Sequence, residues 1–176
     1  MSGSKALKLS QTYKEEDRIY NFAMSIANRA GSLQDLLDSM DKNGILDFVN
    51  LRNSHGYTLL HSAVFSDNEN AVKKLLDCGA SVQAEDNYNS KPLHYATSAN
   101  VAKLLIDHNA EIDAKDGEGN TILYYAFVTN NARLASLLLQ NKADFSAAKQ
   151  YCHLPTDCTE SKFLDMMMYE DYLELE

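Results

Sequence analysis

Apolar residues recur along the chain at helical spacing, in pairs of short segments. In the clearest pair, Leu60, Ala63 and Val64 share one face of a first segment, and Val72 and Leu75 share one face of the next. A recurrence every three to four residues is typical of amphipathic helices. The pattern predicts a succession of helix pairs, each with an apolar face that needs a neighbour to cover it.

The pairs belong to a repeated unit. The phrase GYTLLHSAV at 56–64 recurs as NSKPLHYAT at 89–97 and as GNTILYYAF at 119–127, at offsets of 33 and 30 residues. Each copy is followed by a second apolar stretch that begins at Val72, Ala102 or Ala135. A single unit of this length has no core of its own, so the repeats are expected to stack into one continuous array.

The period and the phrase together resemble the ankyrin repeat, which has a T-P-L-H-x-A signature and a period near 33 residues. The positions that carry the resemblance are Thr58, Leu60, His61 and Ala63, then Pro92, Leu93, His94 and Ala96, then Thr121, Leu123 and Ala126. The resemblance implies an all-α solenoid of stacked helix pairs joined by short β-hairpin or loop fingers. It also implies that His61 and His94 are structural hydrogen bonders, and Tyr124 at the third position predicts a weaker network there.

The repeat pattern divides the whole chain. We predict a flexible amino-terminal arm over 1–16, a divergent amino-terminal capping repeat over 17–52, repeat 1 over 53–85, repeat 2 over 86–115, repeat 3 over 116–148, and a degenerate repeat with an acidic carboxy-terminal cap over 149–176. Repeat 2 is three residues short between its helices. Either its interhelical loop is tighter or its first helix is shorter by most of a turn, and the surface there is a shaped notch or a tolerated loop variation.

A stop signal follows the second helix of each repeat. Gly79 occupies that position in repeat 1, Asn109 in repeat 2 and Lys142 in repeat 3. Glycine adopts the left-handed conformation that ends a helix, asparagine does so less readily, and lysine is a poorer substitute.

The net charge and the length of the apolar stretches disfavour some classes of function. The chain has 25 acidic and 16 basic residues and a formal charge of -9, which disfavours broad binding to nucleic acid. Its longest apolar stretch, 122–128, is far shorter than a bilayer-spanning helix. We expect a cytoplasmic monomer with access to the nucleus and no membrane insertion; if the chain is a secreted pathogen or viral effector, its site of action is the host cytosol.

The sequence offers no convergent catalytic set. The string at 117–119 lacks the third glycine and the preceding strand of a dinucleotide fingerprint, so we assign it to a turn. Cys152, His153 and Cys158 supply three candidate metal ligands without a fourth at a familiar spacing. We therefore predict no enzyme activity, no cofactor and no metal site.

Because no catalytic set is found, we expect the function to depend on surface side chains of a rigid scaffold. The resemblance implies that a partner protein binds the concave side, formed by the finger tips and the first helices. Aromatic residues there favour protein recognition, and the acidic balance suggests a partner with a basic patch. The candidate partner-binding residues are Ser54, His55, Tyr57, Phe65, Ser66, Glu85, Asn87, Tyr88, Ser90, Lys115, Glu118, Asn120, Gln150 and Tyr151.

The carboxy-terminal tail is a second candidate. From Thr156 onward the chain has seven acidic residues and one lysine, with apolar residues at helical spacing. The tail is either a docked capping helix or an acidic peptide through which the chain acts as an inhibitory or adaptor subunit. In the second case Tyr169 and Tyr172 are candidate modification sites.

Overall fold

The computed structural model of the protein describes residues 49–146 and 159–165. The described part contains the α-helices α1 (Leu59–Phe65), α2 (Glu69–Asp77), α3 (Ala99–Asp107), α4 (Ile122–Val128) and α5 (Ala132–Gln140), and a 3-10 helix (Pro92–Tyr95). Residues 160–165 are also helical. The amino-terminal arm and most of the predicted amino-terminal capping repeat lie outside the described residues.

The helices form the expected array of pairs. The first member of each pair is α1, the 3-10 helix or α4, and we call these the inner helices; α2, α3 and α5 are the outer helices. Outer helix α3 packs against both α2 and α5, and the 3-10 helix packs against α1 and α4. The architecture is an all-α solenoid, and no strand occurs within 49–146 or 159–165. The fingers are tight turns.

A capping side chain directly precedes each outer helix. Asn68, Ser98 and Asn131 are the capping residues, and each accepts a hydrogen bond from the backbone N–H three positions later. This contact satisfies one of the donors left unpaired at a helix start. The caps therefore fix the same entry point for the outer helix in all three repeats.

Left-handed residues end the outer helices, as predicted. Gly79, Asn109 and Lys142 have φ values of 83°, 65° and 67°. In each repeat the N–H of this residue donates to the carbonyl three positions earlier, and the next N–H reaches back five positions. Lys142 adopts the same conformation as Gly79 although its Cβ disfavours it.

Repeat 2 is short because its inner helix has lost its final turn. The 3-10 helix covers four residues where α1 and α4 each cover seven. Ala96 is extended directly after it, with φ -71° and ψ 121°. Repeats 1 and 3 instead turn through left-handed Asp67 and Asn130 before the outer helix. The shortened helix, one of the two predicted alternatives, is the one that the fold adopts.

One continuous apolar core runs through the array. Its fully buried members include Leu60, Val72, Leu105, Leu123 and Leu138, which come from the inner and outer helices of the three repeats. No buried side-chain nitrogen or oxygen of the described residues lacks a hydrogen-bond partner. The stack is thus held by apolar burial between repeats as well as within them.

The helical segment 160–165 covers the end of this core. Phe163 is fully buried, with its ring centroid 5.4 Å from that of Phe127 and 5.2 Å from that of Phe145. This part of the predicted capping helix is therefore docked on repeat 3. The remaining tail, with Tyr169 and Tyr172, lies outside the described residues.

Candidate functional site

The finger tips share one turn geometry, which is set by a side chain at their first residue. In finger 2 (86–90), Oδ1 of Asp86 accepts from the backbone N–H of Tyr88 at 2.7 Å and of Ser90 at 3.0 Å. Asp116 does the same in finger 3 (116–120), and Asn53 does so in finger 1 (53–57). Such side-chain turns fix the backbone locally.

Adjacent fingers are joined by backbone hydrogen bonds. The N–H of Asn87 donates to the carbonyl of His55 at 3.1 Å, and the N–H of Gly117 donates to the carbonyl of Tyr88 at 2.8 Å. A Cβ at position 117 would lie 2.7 Å from the Tyr88 carbonyl oxygen. The 117–119 string is thus a turn, as predicted, and Gly117 allows the close approach of fingers 2 and 3.

Two buried histidines tie each repeat to the next. The Nε2 of His61 is 3.1 Å from the carbonyl oxygen of Ser90, and that of His94 is 2.9 Å from the carbonyl oxygen of Ala114. The Nδ1 of His61 accepts from the backbone N–H of Thr58, so Nε2 carries the proton and donates. Burial lowers the pKa of His61. These contacts match the structural role that the family resemblance implied.

Two tyrosines connect the inner helices to the finger aspartates. The hydroxyl of Tyr95 donates to Oδ2 of Asp86 at 2.5 Å, and the hydroxyl of Tyr125 donates to Oδ2 of Asp116 at 2.5 Å. Burial and the bond to Asp116 raise the pKa of Tyr125 to about 12. Burial pushes the pKa of Asp116 upward, but hydrogen bonds from Tyr125 and from backbone N–H groups outweigh it and leave that pKa below its ordinary value.

A groove of about 940 Å³ lies between the fingers and the inner helices. Its lining comes from all three repeats and includes Phe65, Tyr88, Tyr95, Tyr125 and Glu118. Phe65 is 72% exposed and Tyr88 is 62% exposed. We call this the concave groove. Its volume falls within the range of about 300–1,000 Å³ that ligand sites occupy.

The missing turn of repeat 2 opens the middle of the concave groove. Ala96 and Thr97, which follow the 3-10 helix, line the groove together with Phe65 of α1 and Thr129 at the end of α4. A smaller cavity of about 280 Å³ adjoins it and is lined by Tyr57, Phe65, Tyr95 and neighbouring residues. The short repeat therefore forms a notch in the described surface.

The structure brings some of the predicted partner-binding residues together and separates others. Those that line the concave groove are Phe65, Asn87, Tyr88, Ser90 and Glu118, and those that line the smaller cavity are Tyr57, Phe65 and Ser66. Ser54 and His55 on finger 1, and Glu85 and Lys115 directly before fingers 2 and 3, are exposed but line neither cavity. Gln150 and Tyr151 lie outside the described residues.

Ser90 and Asn120 are predicted partner-binding residues that the fold buries. Each is 7% exposed. The carbonyl of Ser90 accepts from His61, and the amide of Asn120 lies 3.3 Å from Glu118 Oε2. Their side chains consequently present little surface to a partner, and their role in the fingers is to hold the turn.

Sequence reasoning missed Tyr95 and Tyr125 as groove residues. The signal that identifies them is an aspartate nine residues upstream in each case, Asp86 and Asp116. Repeat 1 has Asn53 and a serine at the corresponding positions, so the pairing is a property of repeats 2 and 3. Because the tyrosines stand inside the repeat phrase itself, they are easily taken for core positions.

Within 49–146 and 159–165, no three histidine, cysteine or acidic side chains are grouped so that they can hold a metal ion. Cys152, His153 and Cys158 lie outside this part. No helix of the described part has the length and apolarity needed to cross a bilayer.

Two family models match the chain. The model for ankyrin repeats (3 copies) matches residues 83–149, and the model for the ankyrin repeat matches residues 55–87. The chain is also 41% identical over 68 residues to the human ankyrin repeat domain-containing protein SOWAHB, a match that covers 38% of this chain and 9% of that protein. The two models together span more than half of the chain, and the chain therefore belongs to the ankyrin-repeat family.

Proposed function

We propose that this chain is a non-catalytic protein-interaction module that binds a partner protein through the concave groove. Ankyrin repeats generally mediate protein–protein interaction, and such repeats are typically without catalytic activity. The observation that carries the proposal is the groove itself, which presents exposed Phe65 and Tyr88 on a scaffold whose buried side-chain polar atoms all have hydrogen-bond partners within the described residues. Large exposed aromatic side chains are preferred anchors at protein interfaces.

The groove is built on elements that are fixed before a partner arrives. The amide of Asn131 donates to the carbonyl of Thr97 at 2.7 Å, and the hydroxyl of Ser98 donates to Asp67 at 2.5 Å. Arg52, directly before finger 1, donates to the carbonyl of Glu85, directly before finger 2. The first of these bonds joins two residues that line the groove, the second joins repeats 1 and 2, and the third joins the segments before fingers 1 and 2, so binding needs little further ordering of the backbone.

Substitution of the exposed aromatics tests this function. Phe65→Ala and Tyr88→Ala are each expected to lower the affinity for the partner ten-fold or more, since truncation of an interface hot spot costs at least about 1.4–2 kcal/mol of binding free energy. Val128→Ala is the matched control, because Val128 is 59% exposed at the equivalent end of α4 but lines neither cavity. The partner is first isolated by proximity labelling, and its affinity for each folded variant is then measured by calorimetry.

If Phe65→Ala and Tyr88→Ala retain the full affinity, as Val128→Ala should, the groove is not the binding site. Thermal melting of each variant separates this result from misfolding.

The expected monomeric state is checked by light scattering of the same samples. The cytoplasmic location, with access to the nucleus, is checked by imaging of the tagged full chain.

Recognition by the acidic tail is the second candidate function. Phe163 anchors the segment 160–165 to repeat 3, and four acidic residues follow it among positions 166–176. A chain that ends at Asp165 keeps the Phe163 contact and removes these residues together with Tyr169 and Tyr172. Loss of the partner from this folded, shortened chain would favour the tail, whereas full retention would favour the groove.

A further inference from the structure

An aromatic ring and a carboxylate both line the concave groove. Tyr88 and Glu118 lie on the tips of neighbouring fingers, and both are exposed. The Gly117 N–H holds the two tips together through its 2.8 Å hydrogen bond to the Tyr88 carbonyl. Both side chains line the groove. The arrangement offers a ring face and a negative charge to the same incoming group.

Further negative charge lies behind the aromatic wall. Asp86 is 3% exposed and Asp116 is half-buried, and each accepts a hydrogen bond from a groove tyrosine. The two ion pairs of the described residues, between Lys91 and Glu111 and between Lys103 and Asp107, involve neither aspartate. The carboxylates are hydrogen-bonded, but their charge is not balanced by a paired cation within the described part of the chain.

The tyrosine–aspartate bonds also alter the rings. A phenol that donates its proton to a carboxylate is polarised, so electron density shifts toward its ring. An electron-rich ring face attracts a cation, and the attraction grows where water is partly excluded. Tyr95 and Tyr125 are both half-buried in the groove. Their rings therefore add to the attraction of the groove for a cationic group.

We propose that the concave groove receives an arginine side chain from a partner polypeptide. This inference rests on the proposed function and adds the chemistry of the partner. The guanidinium stacks on Tyr88 and pairs with the Glu118 carboxylate, and the apolar stem lies toward Phe65 in the notch. Arginine fits better than lysine, because its planar group stacks on a ring while it donates two parallel hydrogen bonds to a carboxylate.

The groove accommodates more than this one side chain. Its volume of about 940 Å³ leaves room for the flanking residues of an extended segment. Arg133 is the cationic side chain among the lining residues, and it belongs to the first turn of outer helix α5 rather than to a finger. The arginine of the partner is accordingly placed at the finger side, near Glu118.

An isosteric pair of probes tests the charge requirement. Nα-acetyl-arginine amide and Nα-acetyl-citrulline amide have nearly the same shape, but only the first is charged. Both are titrated into the isotopically labelled full chain and followed by NMR. We expect the arginine probe to shift the resonances of Tyr88, Glu118 and Phe65 with at least three-fold higher affinity than the citrulline probe. Raising the salt concentration should reduce this preference, since salt screens exposed charges.

Two variants locate the site. Glu118→Gln removes the charge and keeps the shape, and Tyr88→Leu removes the ring face. Each change is expected to lower the affinity for the arginine probe about three-fold or more. Glu160→Gln is the matched control, because Glu160 is exposed on the carboxy-terminal helical segment and lines neither cavity. This variant should bind like the original chain.

Selection of peptides separates this inference from the proposed function. A random twelve-residue peptide library is selected on the original chain and counter-selected on Glu118→Gln. Enriched peptides with an arginine at one fixed position support the proposal. Peptides that compete for Phe65 and Tyr88 but lack a basic residue would preserve the groove as a binding site and overturn the arginine assignment. Equal binding of the two amide probes, or shifts confined to other surfaces, would overturn it as well.

Discussion

His61 and Ser90 are 29 residues apart in the sequence, and the ring Nε2 of the first lies 3.1 Å from the carbonyl oxygen of the second. The bond crosses from the inner helix of repeat 1 to the finger of repeat 2. The same ring accepts from the Thr58 backbone N–H through Nδ1. A neutral imidazole of one tautomer satisfies both contacts, and a protonated ring does not. The junction between repeats 1 and 2 is therefore tied to the protonation state of one buried side chain.

This junction predicts a pH-dependent stability. The ordinary pKa of histidine is 6.5, and burial lowers the pKa of His61 in the folded chain. As the pH falls, His61 consequently becomes protonated in the unfolded chain before it does in the folded chain. The neutral ring therefore makes its full contribution to the free energy of unfolding above about pH 6.5, and this contribution is lost as the pH falls from there through the folded pKa. Urea denaturation between pH 7.5 and 5 should show the unfolding free energy decreasing over this window.

Substitution separates His61 from other titrating groups. His61→Gln is expected to cost about 1–3 kcal/mol at pH 7.5, because it disrupts buried hydrogen bonds, and to flatten the decrease between pH 6.5 and 5. His55→Gln is the control, since His55 is exposed on a finger tip. An unchanged pH profile in His61→Gln would show that the decrease has another origin.

Tyr125→Phe tests the tyrosine–aspartate pair of repeat 3. The change removes the donor to Asp116 and is expected to reduce stability by about 1 kcal/mol, since the pair is partly exposed and solvent screens it. The pKa of Asp116 should rise toward its ordinary value of 3.8. NMR titration of the Asp116 carboxyl carbon measures this shift directly. Tyr124→Phe removes a neighbouring hydroxyl and keeps the Asp116 bond, so it should leave that pKa in place.

Lys142→Gly is expected to stabilise the chain. Lys142 has a φ of 67°, a conformation in which glycine carries no steric penalty. We expect a gain of about 0.5–1 kcal/mol, measured by urea denaturation. Lys142→Ala keeps the Cβ while removing the charge, and should show no such gain. Gly79→Ala, at the equivalent position in repeat 1, is expected to lose about 1 kcal/mol. Equal stabilities for the glycine and alanine variants at 142 would contradict this account.

Most of the fold follows from the sequence because the repeat phrase carries its own hydrogen-bonding chemistry. Thr58 and His61 are three residues apart, a spacing that lets each side chain bond the backbone of the other at a helix start. Gly79, Asn109 and Lys142 marked the helix ends by position. Local signals of this kind are read from residue types and spacing alone, so the stacking of helix pairs could be predicted.

The concave groove depends on relationships between repeats, which one sequence does not display. Phe65 and Val128 hold the same position in α1 and α4, but only Phe65 lines the groove. Phe65 lies beside the shortened inner helix of repeat 2, with its ring centroid 6.4 Å from that of Tyr95. Similarly, Ser90 and Asn120 look like exposed finger residues by position, yet each is only 7% exposed in the fold.

Phe163→Ala tests the docking of the carboxy-terminal segment. The side chain is fully buried against Phe127 and Phe145, and its truncation leaves a cavity at the end of the core. We expect a loss of about 3–5 kcal/mol in the free energy of unfolding. Leu164→Ala should cost less, because Leu164 is half-buried. Melting temperatures that agree between Phe163→Ala and the original chain would show that the segment does not contribute to the folded core.

Restoring the missing turn of repeat 2 tests whether the notch serves binding. Replacing Thr97 with the four-residue sequence Val-Phe-Ser-Asp, copied from 64–67, returns the repeat to its full length and supplies an aspartate at the left-handed position that Asp67 occupies. The added turn places side chains in the space between Phe65 and Thr129. We expect partner affinity to fall ten-fold or more while thermal stability is kept, because the new valine extends the core as Val64 does in repeat 1.

The control for this insertion is Val128→Asp, which adds the same charge at an exposed position that lines neither cavity and should bind normally. Calorimetry with the isolated partner measures both variants, and circular dichroism confirms that each is folded. If the full-length repeat bound as tightly as the original chain, the three-residue deletion would be a neutral loop variation and the partner would contact the fingers alone. If only the full-length repeat loses affinity, the shortened inner helix has a function in binding. The missing turn is then what leaves room for the partner.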